Sequence, residues 1–312
     1  MLTIGITTCN RMKYTKSLFE SLGDEILTVY QVIVVDNGSL ELNFKNYLND
    51  MSNKYNFLFI DRDPKDRNWI NDEYVAKNLI IENSKHDTIL FLQDDQQYLF
   101  DKQTLDHYIK CFSNIDIPSL DVNAVRKCTI RDNFLPNRLE IENEEVKDFF
   151  WLRRNNHFQT MGFFKKRVFD ECGLYPVDWP LKKEYWGRSE TWYSKKIHEY
   201  NKKYLKHEVV NVKSHVPLFA PVWNDPRGGY AFIRGDQRYG HYLDPVGKTY
   251  YKNYNFSEYK NFLKNDKRLP FAYSEIVKPD GWSYNKDEEG DQVKFPQSKT
   301  IEDGPFAIVG EE

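Results

Sequence analysis

Cysteine is scarce in this sequence, and the few cysteines that occur are far apart. Among the 312 residues there are four, Cys9, Cys111, Cys128 and Cys172, and no two of them form a CxxC pair. Disulfide frameworks and structural zinc sites depend on closely or regularly spaced cysteines. We therefore predict reduced thiols in a cytoplasmic protein, rather than a disulfide-stapled domain or a zinc site.

Long hydrophobic runs are missing as well. No stretch approaches the roughly 18 consecutive apolar residues that mark a membrane-spanning helix. The chain enters the apolar segment Leu2–Ile6 directly, without the positively charged start and long apolar core of a secretory signal. The sequence thus predicts neither a membrane span nor a secretory signal, and we expect a cytoplasmic location.

Neither sign of charge is in large excess overall, but the positive and negative residues are unevenly distributed along the chain. The formal net charge is −3, yet residues 151–270 carry 23 Lys and Arg against 12 Asp and Glu. A basic region favours an anionic partner, although solvated helix faces produce the same composition. Aromatic residues make up 16% of the chain. This fraction favours a folded protein with a sugar-, base- or partner-binding surface over a disordered chain.

Apolar strands alternate with helical patterns through the first part of the chain. The hydrophobic pattern predicts strands at 2–7, 29–35 and 57–60, and helices at 13–22 and 69–84. Strand–helix alternation at a spacing of about 30 residues is typical of βαβ units. We therefore predict an α/β fold of the Rossmann type, with a mostly parallel sheet flanked by helices and a C-terminal extension.

The segment 87–99 lies at the centre of the predicted fold. Its apolar run Ile89–Leu92 is too short for a helical period and suits a strand that is buried on both faces of a parallel sheet. Two carboxylates, Asp94 and Asp95, follow directly. Ligands of open α/β sheets bind outside the carboxyl ends of the strands, and Mg2+ and Mn2+ prefer carboxylate oxygen. The pair is thus either a cation site or a solvated turn.

Two further turns follow predicted strands, and each has two interpretations. Asp36-Asn37-Gly38-Ser39 comes after the second strand. Its carboxylate can accept hydrogen bonds from a base or a ribose, but the same tetrapeptide is a strong Asx-type turn. The polar residues after the first strand either line a ligand pocket or cap the next helix; they are Thr7, Thr8, Asn10 and Arg11.

The order of three segments resembles a known family. TIGITTCNR, then VIVVDNGS, then AKN ahead of ILFLQDD resemble the nucleotide-binding half of family-2-like, inverting glycosyltransferases with the GT-A fold. The resemblance implies a nucleotide-sugar pocket lined by Thr7, Asn10, Arg11, Asp36, Asn78, Gln93 and Asp94. It also implies that Asp95 holds Mn2+ or Mg2+, because Gln93-Asp94-Asp95 falls on the family's Asp-x-Asp motif. Gln93 departs from that motif, in which Asp is usual, but its amide can still bond a ribose.

A later segment resembles the acceptor side of the same family. EYWGRSETWY, residues 184–193, resembles the Trp-Gly…Glu-Asp segment of inverting GT-A enzymes. The resemblance implies that Glu190 is the general base that takes a proton from the acceptor hydroxyl. It also implies that the acceptor or sugar contacts Trp186, Gly187 and Trp192. The alternative is that Ser189 caps a helix, that Glu190 is a favourable acid in its first turn, and that the tryptophans pack.

Two further groups of candidate site residues lie in the basic region. His215 comes after a strand predicted at 208–213, where the family often supplies a His to the metal; a structural His is the alternative. Arg227 and Arg234 lie among glycines at 224–242. This segment either closes over a diphosphate, with Arg supplying bidentate charge, or forms a surface loop. The chain beyond about residue 270 is acidic and rich in turn residues, and we assign it no role.

The expected activity is metal-dependent transfer of a sugar from a nucleotide diphosphate sugar, with UDP as the default nucleotide and inversion at the sugar. Residues 1–125 would bind the donor, residues 126–223 would form the acceptor-binding and catalytic half of the same GT-A domain, and residues 224–312 would form a loop and extension. The acceptor would be a polyanion, such as phage DNA with hydroxylated bases, or a glycan. The alternative is a catalytically silent nucleotide- or sugar-binding module, which Gln93 and Ser189 support because both depart from the family pattern.

Overall fold

The fold was obtained as a computed structural model that describes most of the first 120 residues and parts of the remainder. The described residues are 1–66, 72–120, 122, 138–140, 148–153, 161–177, 196, 199–200, 202–203, 210–214, 216, 218–221 and 253–265. Seven predicted site residues lie outside these ranges: Trp186, Gly187, Glu190, Trp192, His215, Arg227 and Arg234. Their roles stay predictions from the sequence.

Strands and helices alternate along the chain. The first described elements are β1 (Leu2–Thr8), α1 (Met12–Val29), β2 (Gln31–Asp36), α2 (Leu42–Tyr55), β3 (Leu58–Asp61), a 3-10 turn (Pro64–Asp66), α3 (Asp72–Asn83) and β4 (Thr88–Gln93). The later ones are β5 (Gln96–Tyr98), α4 (Lys102–Asn114), β6 (Ser119–Leu120), β7 (Arg138–Glu140), β8 (Phe149–Arg153), β9 (Gly162–Lys165), α5 (Lys166–Cys172), β10 (Val210–Ser214), β11 (Phe219–Pro221) and α6 (Phe256–Asn265).

Six of the described strands form one sheet in the order β3-β2-β1-β4-β9-β6. Strands β1 to β4 run parallel, whereas β9 is antiparallel to β4 and to β6. The other described strands form two smaller sheets, in the orders β10-β8-β7 and β11-β5. The predicted α/β fold with a mostly parallel sheet flanked by helices is confirmed.

Helices cover both faces of the main sheet. On one face Leu18 of α1 belongs to the same core as Ile4 of β1, together with side chains of α2, α4 and α6. On the other face Ile80 of α3 belongs to a second core with Val35 of β2 and side chains of α5. The run Ile89–Leu92 is at most 1% exposed and contributes alternate residues to the two cores. This confirms the prediction of a strand buried on both faces.

Three predicted element boundaries are wrong. The first helix does not end at residue 22 but resumes after a non-helical break at Gly23 (φ 74°) and continues to Val29. The second strand therefore begins at Gln31 instead of Val29. The sequence at 156–164 also predicts a strand that ends near Gly162, whereas the described strand β9 begins at that residue. The reason is that Phe163 and Phe164, which follow it, fill the two cores on opposite faces of the sheet.

The last described segment, residues 253–265, returns to the face covered by α4. The Tyr254 N–H donates to the Leu99 carbonyl at 2.7 Å, and the Phe256 N–H donates to the Asp101 carboxylate at 2.9 Å. Tyr259 of α6 is fully buried in the core on this face. Within the described ranges, no helix is long and apolar enough to cross a membrane.

Candidate functional site

The carboxyl ends of β1, β2 and β4 meet where the strand order reverses. β1 lies between β2 and β4, with Thr8 opposite Asp36 on one side and Thr7 opposite Gln93 on the other. Open α/β sheets bind ligands in the crevice at such a switch point. The structure therefore brings Thr7, Asp36 and Gln93 together at the edge of the sheet where a ligand is expected.

Arg11 connects the two acids that follow β4. Its Nη1 donates to Asp94 Oδ1 at 2.5 Å, and its Nη2 lies 3.4 Å from Asp95 Oδ2. All three residues are buried, and the guanidinium carbon lies 4.6 Å from the centre of the Tyr14 ring. Two adjacent buried carboxylates need compensating positive charge. In this structure the Arg11 guanidinium supplies it.

Burial has the largest effect on the protonation of Asp94. It raises the pKa of the Asp94 carboxyl to about 7, against the charge of Arg11, and the neighbouring Asp95 acts in the same direction as burial. The Thr8 hydroxyl, which donates to Asp94 Oδ2 at 2.9 Å, favours the ionised form. Burial lowers the pKa of Arg11, but the two carboxylates outweigh it and the net shift is upward. A further positive charge at this position would favour ionised carboxylates.

Asp36 is held by the turn that follows it. The Ser39 N–H approaches both Asp36 oxygens, and the Ser39 hydroxyl donates to Asp36 Oδ1 at 2.5 Å. Asn10 adds a second connection, because its N–H donates to Ser39 Oγ at 2.6 Å and its Oδ1 accepts from the Leu40 N–H at 2.9 Å. Asn10 has a φ of 50°, a left-handed conformation that asparagine tolerates. Burial raises the pKa of Asp36 to about 6, against the Ser39 donors.

Asn78 lies on α3, and its amide bonds the backbone of Tyr175. Its Nδ2 donates to the Tyr175 carbonyl at 2.8 Å, and its Oδ1 accepts from the Tyr175 N–H at 2.9 Å. This pair of bonds attaches the segment after α5 to α3. The structure thus gives the Asn78 side chain a role in packing, and a nucleotide contact by Asn78 stays a prediction.

Two polar residues of this region, Glu73 and Lys77, belong to none of the predicted sites. Gln93 Nε2 donates to Glu73 Oε1 at 2.9 Å, and Lys77 Nζ donates to the same oxygen. The spacing of Glu73 and Lys77, one helical turn apart on α3, is the sequence feature that could have indicated this ion pair. Thr8 and Ser39 lie in the predicted turns, but the sequence did not indicate that their hydroxyls bond Asp94 and Asp36.

Asp95 is the acid to which the family resemblance assigns a metal ion. Arg11 Nη2 and Gln96 Nε2 lie 3.4 and 3.2 Å from its oxygens, whereas Asp94 is bound to Arg11 at 2.5 Å. Carboxylate oxygen fits Mn2+ and Mg2+, which also take water and substrate phosphate as ligands. Within the described residues no group of three or more His, Cys, Asp or Glu side chains could hold a metal ion. Substrate oxygens, or residues outside those ranges such as the predicted His215, would have to complete the site.

Comparisons with known proteins give one family and several solved structures. The sequence profile of glycosyl transferase family 2 matches residues 3–173, and no curated protein sequence matches significantly. TarS from S. aureus has a TM-score of 0.49 and 14% identity, covering 80% of this chain and 40% of that chain. TarS 1–349 in complex with UDP-GlcNAc has a TM-score of 0.47 and 14% identity, covering 80% and 68%. The mannosyltransferase PcManGT from Pyrobaculum calidifontis, in complex with GDP-Man and Mn2+, has a TM-score of 0.48 and 16% identity, covering 76% and 60%.

The extent of these matches differs. The chain spans less than half of the length of TarS and about two thirds of the TarS 1–349 fragment. The family profile, by contrast, covers more than half of the 312 residues, from β1 to the end of α5. This range includes every described residue of the predicted pocket. The chain therefore belongs to glycosyl transferase family 2, and its helix-flanked, mostly parallel sheet is the GT-A fold that the motifs predict.

Proposed function

We propose that this chain transfers a sugar from a nucleotide diphosphate sugar, with UDP as the default nucleotide, to an acceptor hydroxyl. The observation that carries the proposal is the grouping of Asp36, Arg11, Asp94 and Asp95 at the carboxyl ends of neighbouring strands. The Asp36 carboxylate can accept hydrogen bonds from a base or ribose. The acids after β4 lie where a cation can connect them to a diphosphate.

The residues after β1 and β4 have different proposed roles at the diphosphate. Arg11 and Thr8 hold Asp94, and we assign Asp95 as a ligand of Mn2+ or Mg2+, with His215 as a second ligand. When bound, such an ion stabilises the negative charge that develops on the departing diphosphate. We assign Arg227 and Arg234 to the same phosphate groups.

The acceptor half is proposed from the sequence. Glu190 deprotonates the acceptor hydroxyl, which then attacks with inversion, and the acceptor or sugar contacts Trp186, Gly187 and Trp192. The acceptor is a polyanion such as DNA, which the excess of Lys and Arg at 151–270 favours, or a glycan. We assign donor binding to residues 1–125, acceptor binding to residues 126–223, and a loop and extension to residues 224–312.

A thermal-shift panel tests the donor site. UDP, GDP, ADP and their sugar conjugates are each added with Mn2+ or with EDTA. A ligand that binds only the folded state raises its stability by about 2.7 kcal/mol at a hundredfold excess over Kd. We expect a Mn2+-dependent rise in Tm with one nucleotide family, lost in Asp95→Asn. Asp50→Asn, at an exposed position of α2, is the control and should keep the rise.

Three outcomes would contradict parts of the proposal. The absence of any rise with every nucleotide would remove the donor site. A rise that persists in EDTA and in Asp95→Asn would remove the metal from Asp95. A rise without slow hydrolysis of the matching nucleotide sugar would favour a nucleotide-binding module without catalysis, because active transferases often hydrolyse the donor when no acceptor is present.

A further inference from the structure

A third carboxylate lies beside the crevice, on a different element from the acids that follow β4. Glu73, in the first turn of α3, accepts a hydrogen bond from Gln93 Nε2 at 2.9 Å. Gln93 is the last residue of β4 and lies opposite Thr7 of β1. The bond therefore attaches the Glu73 carboxylate to the end of β4, where the crevice begins.

Glu73 also carries the charge that Lys77 needs. The Lys77 side chain is 1% exposed, and its Nζ lies 5.8 and 5.9 Å from the ring centres of Tyr74 and Tyr175. A buried ammonium is costly unless it is paired and hydrogen-bonded. Lys77 Nζ donates to Glu73 Oε1, the atom that also accepts from Gln93. Two donors thus fix the position of one carboxylate.

The Glu73 carboxylate remains accessible to solvent. The Glu73 side chain is 36% exposed, although its partner Lys77 is buried. It therefore combines a defined position, an ionisable oxygen and contact with solvent at the ligand edge of the sheet. A carboxylate placed in this way accepts hydrogen bonds from neutral donors, and the ribose hydroxyls of a nucleotide are such donors.

We infer that Glu73 accepts a hydrogen bond from a ribose hydroxyl of the donor nucleotide, and that Gln93 positions it. The inference rests on the proposed donor site. It explains how the chain functions with a neutral amide at the end of β4: the carboxylate that contacts the ribose comes from α3. Lys77 pairs with that carboxylate, and Gln93 holds it toward the crevice.

The competing role for Glu73 is purely structural, as the partner of buried Lys77. The two roles are separated by comparing a nucleoside diphosphate with its 2′,3′-dideoxy form, because only a ribose contact depends on the hydroxyls. The probe is UDP, GDP or ADP, whichever the intact protein binds most tightly in Mn2+, and the measurement is Kd by calorimetry. Glu73→Gln keeps an oxygen for Lys77, and Tm without ligand reports whether the variant folds.

We expect Glu73→Gln to weaken binding of the ribose form about 10- to 100-fold, the usual worth of a hydrogen bond to a charged group. Binding of the dideoxy form should not change. Gln93→Asp should also weaken the ribose form, because it adds a like charge next to Glu73. The double variant Glu73→Gln/Gln93→Asp should recover affinity, since it restores one carboxylate and one amide. Glu82→Gln, at an exposed position on the same helix, is the control.

Gln93→Met provides a test that leaves the Glu73–Lys77 pair intact, in case Glu73→Gln does not fold. It removes the positioning bond and should weaken the ribose form by a smaller factor than Glu73→Gln, without affecting the dideoxy form. Equal losses for both forms, or no loss in either variant, would overturn the role of Glu73 while leaving the donor site in place. Failure of the intact protein to bind UDP, GDP and ADP would overturn the proposed function and this inference with it.

Discussion

Individual side chains at the crevice stabilise local structure and also lie at the edge where a ligand is expected. Ser39 bonds make Asp36 part of an Asx-type turn, and the same carboxylate ends β2 beside the crevice. The two interpretations of this turn are compatible, because a carboxylate has about four acceptor positions. Arg11 likewise pairs closely with Asp94 while contacting Asp95 at a longer distance. The two adjacent acids are therefore not equivalent.

The clearest test at the scale of one residue is Glu190→Gln. The amide has nearly the same shape as the carboxylate but cannot take the proton of the acceptor hydroxyl. We expect donor Kd to stay nearly unchanged and turnover to fall by about 10²–10⁴, the usual contribution of a general base. The measurement is kcat with saturating donor, beside Glu184→Gln as the neighbouring control. Retained turnover in Glu190→Gln would remove Glu190 from the mechanism.

At the scale of elements, the approach of α3 to β1 positions the inferred ribose contact. A Cβ on Gly5 of β1 would lie 2.4 Å from Ile80 Cγ2, and Ile80 is fully buried. Glycine therefore allows α3 to pack directly on the sheet. Because α3 also carries Glu73 and Lys77, this spacing determines where the carboxylate lies relative to Gln93.

Replacing this glycine tests the close approach. Gly5→Ala should lower the free energy of unfolding by about 1–3 kcal/mol, the usual cost of overpacking a core, as measured by urea denaturation. In the double variant with Ile80→Ala, the added methyl group no longer meets the Ile80 side chain. The double variant should therefore lose less stability than the sum of the two single changes. Additive losses, or no loss in Gly5→Ala, would contradict the close packing.

At the scale of the whole molecule, three distant segments meet at His107 of α4. His107 Nε2 lies 2.5 Å from Asp148 Oδ2, and the Tyr259 hydroxyl of α6 donates to the same oxygen. Cys111 Sγ lies 3.6 Å from the imidazole, and the Phe256 ring centre lies 5.3 Å from that of His107. The Asp148 carboxylate thus connects α4, the turn before β8 and α6.

This contact predicts a pH dependence of stability. The hydrogen bond to Asp148, with a smaller contribution from Cys111, raises the pKa of His107 to about 9 against the effect of burial. Because the folded pKa exceeds the unfolded value near 6.5, protonated His107 stabilises the fold fully below about pH 6.5. This stabilisation is lost as the pH rises through about 9. The Tm difference between the intact protein and His107→Gln should therefore shrink from pH 6.5 to pH 10.

The matched control for this measurement is His86→Gln. Burial lowers the pKa of His86, so its titration lies below this range and the variant should not change the slope between pH 7 and pH 10. A Tm difference for His107→Gln that stays constant across the range would show that Asp148 does not raise the pKa of the His107 imidazole.

Local sequence determined the central strands and the turns at their ends. The run Ile89–Leu92 is apolar on both faces, so it specified a doubly buried strand before any partner was known. The turns at Asp36 and Asp94 followed from the same logic, because parallel strands all end at one edge of a sheet. Hydrophobic period and turn chemistry are properties of adjacent residues, and the sequence shows them directly.

Tertiary structure decided which polar groups meet. Arg11 and Asp94 are 83 positions apart, Asn78 and Tyr175 are 97 apart, and Glu73 and Gln93 are 20 apart on different elements. No periodicity encodes these pairs, since they depend on strand order, on register and on how closely α3 packs against β1. The sequence therefore determined the fold class and the edge where a ligand is expected, while the packing of distant segments decided which charges are paired there and which carboxylate stays accessible.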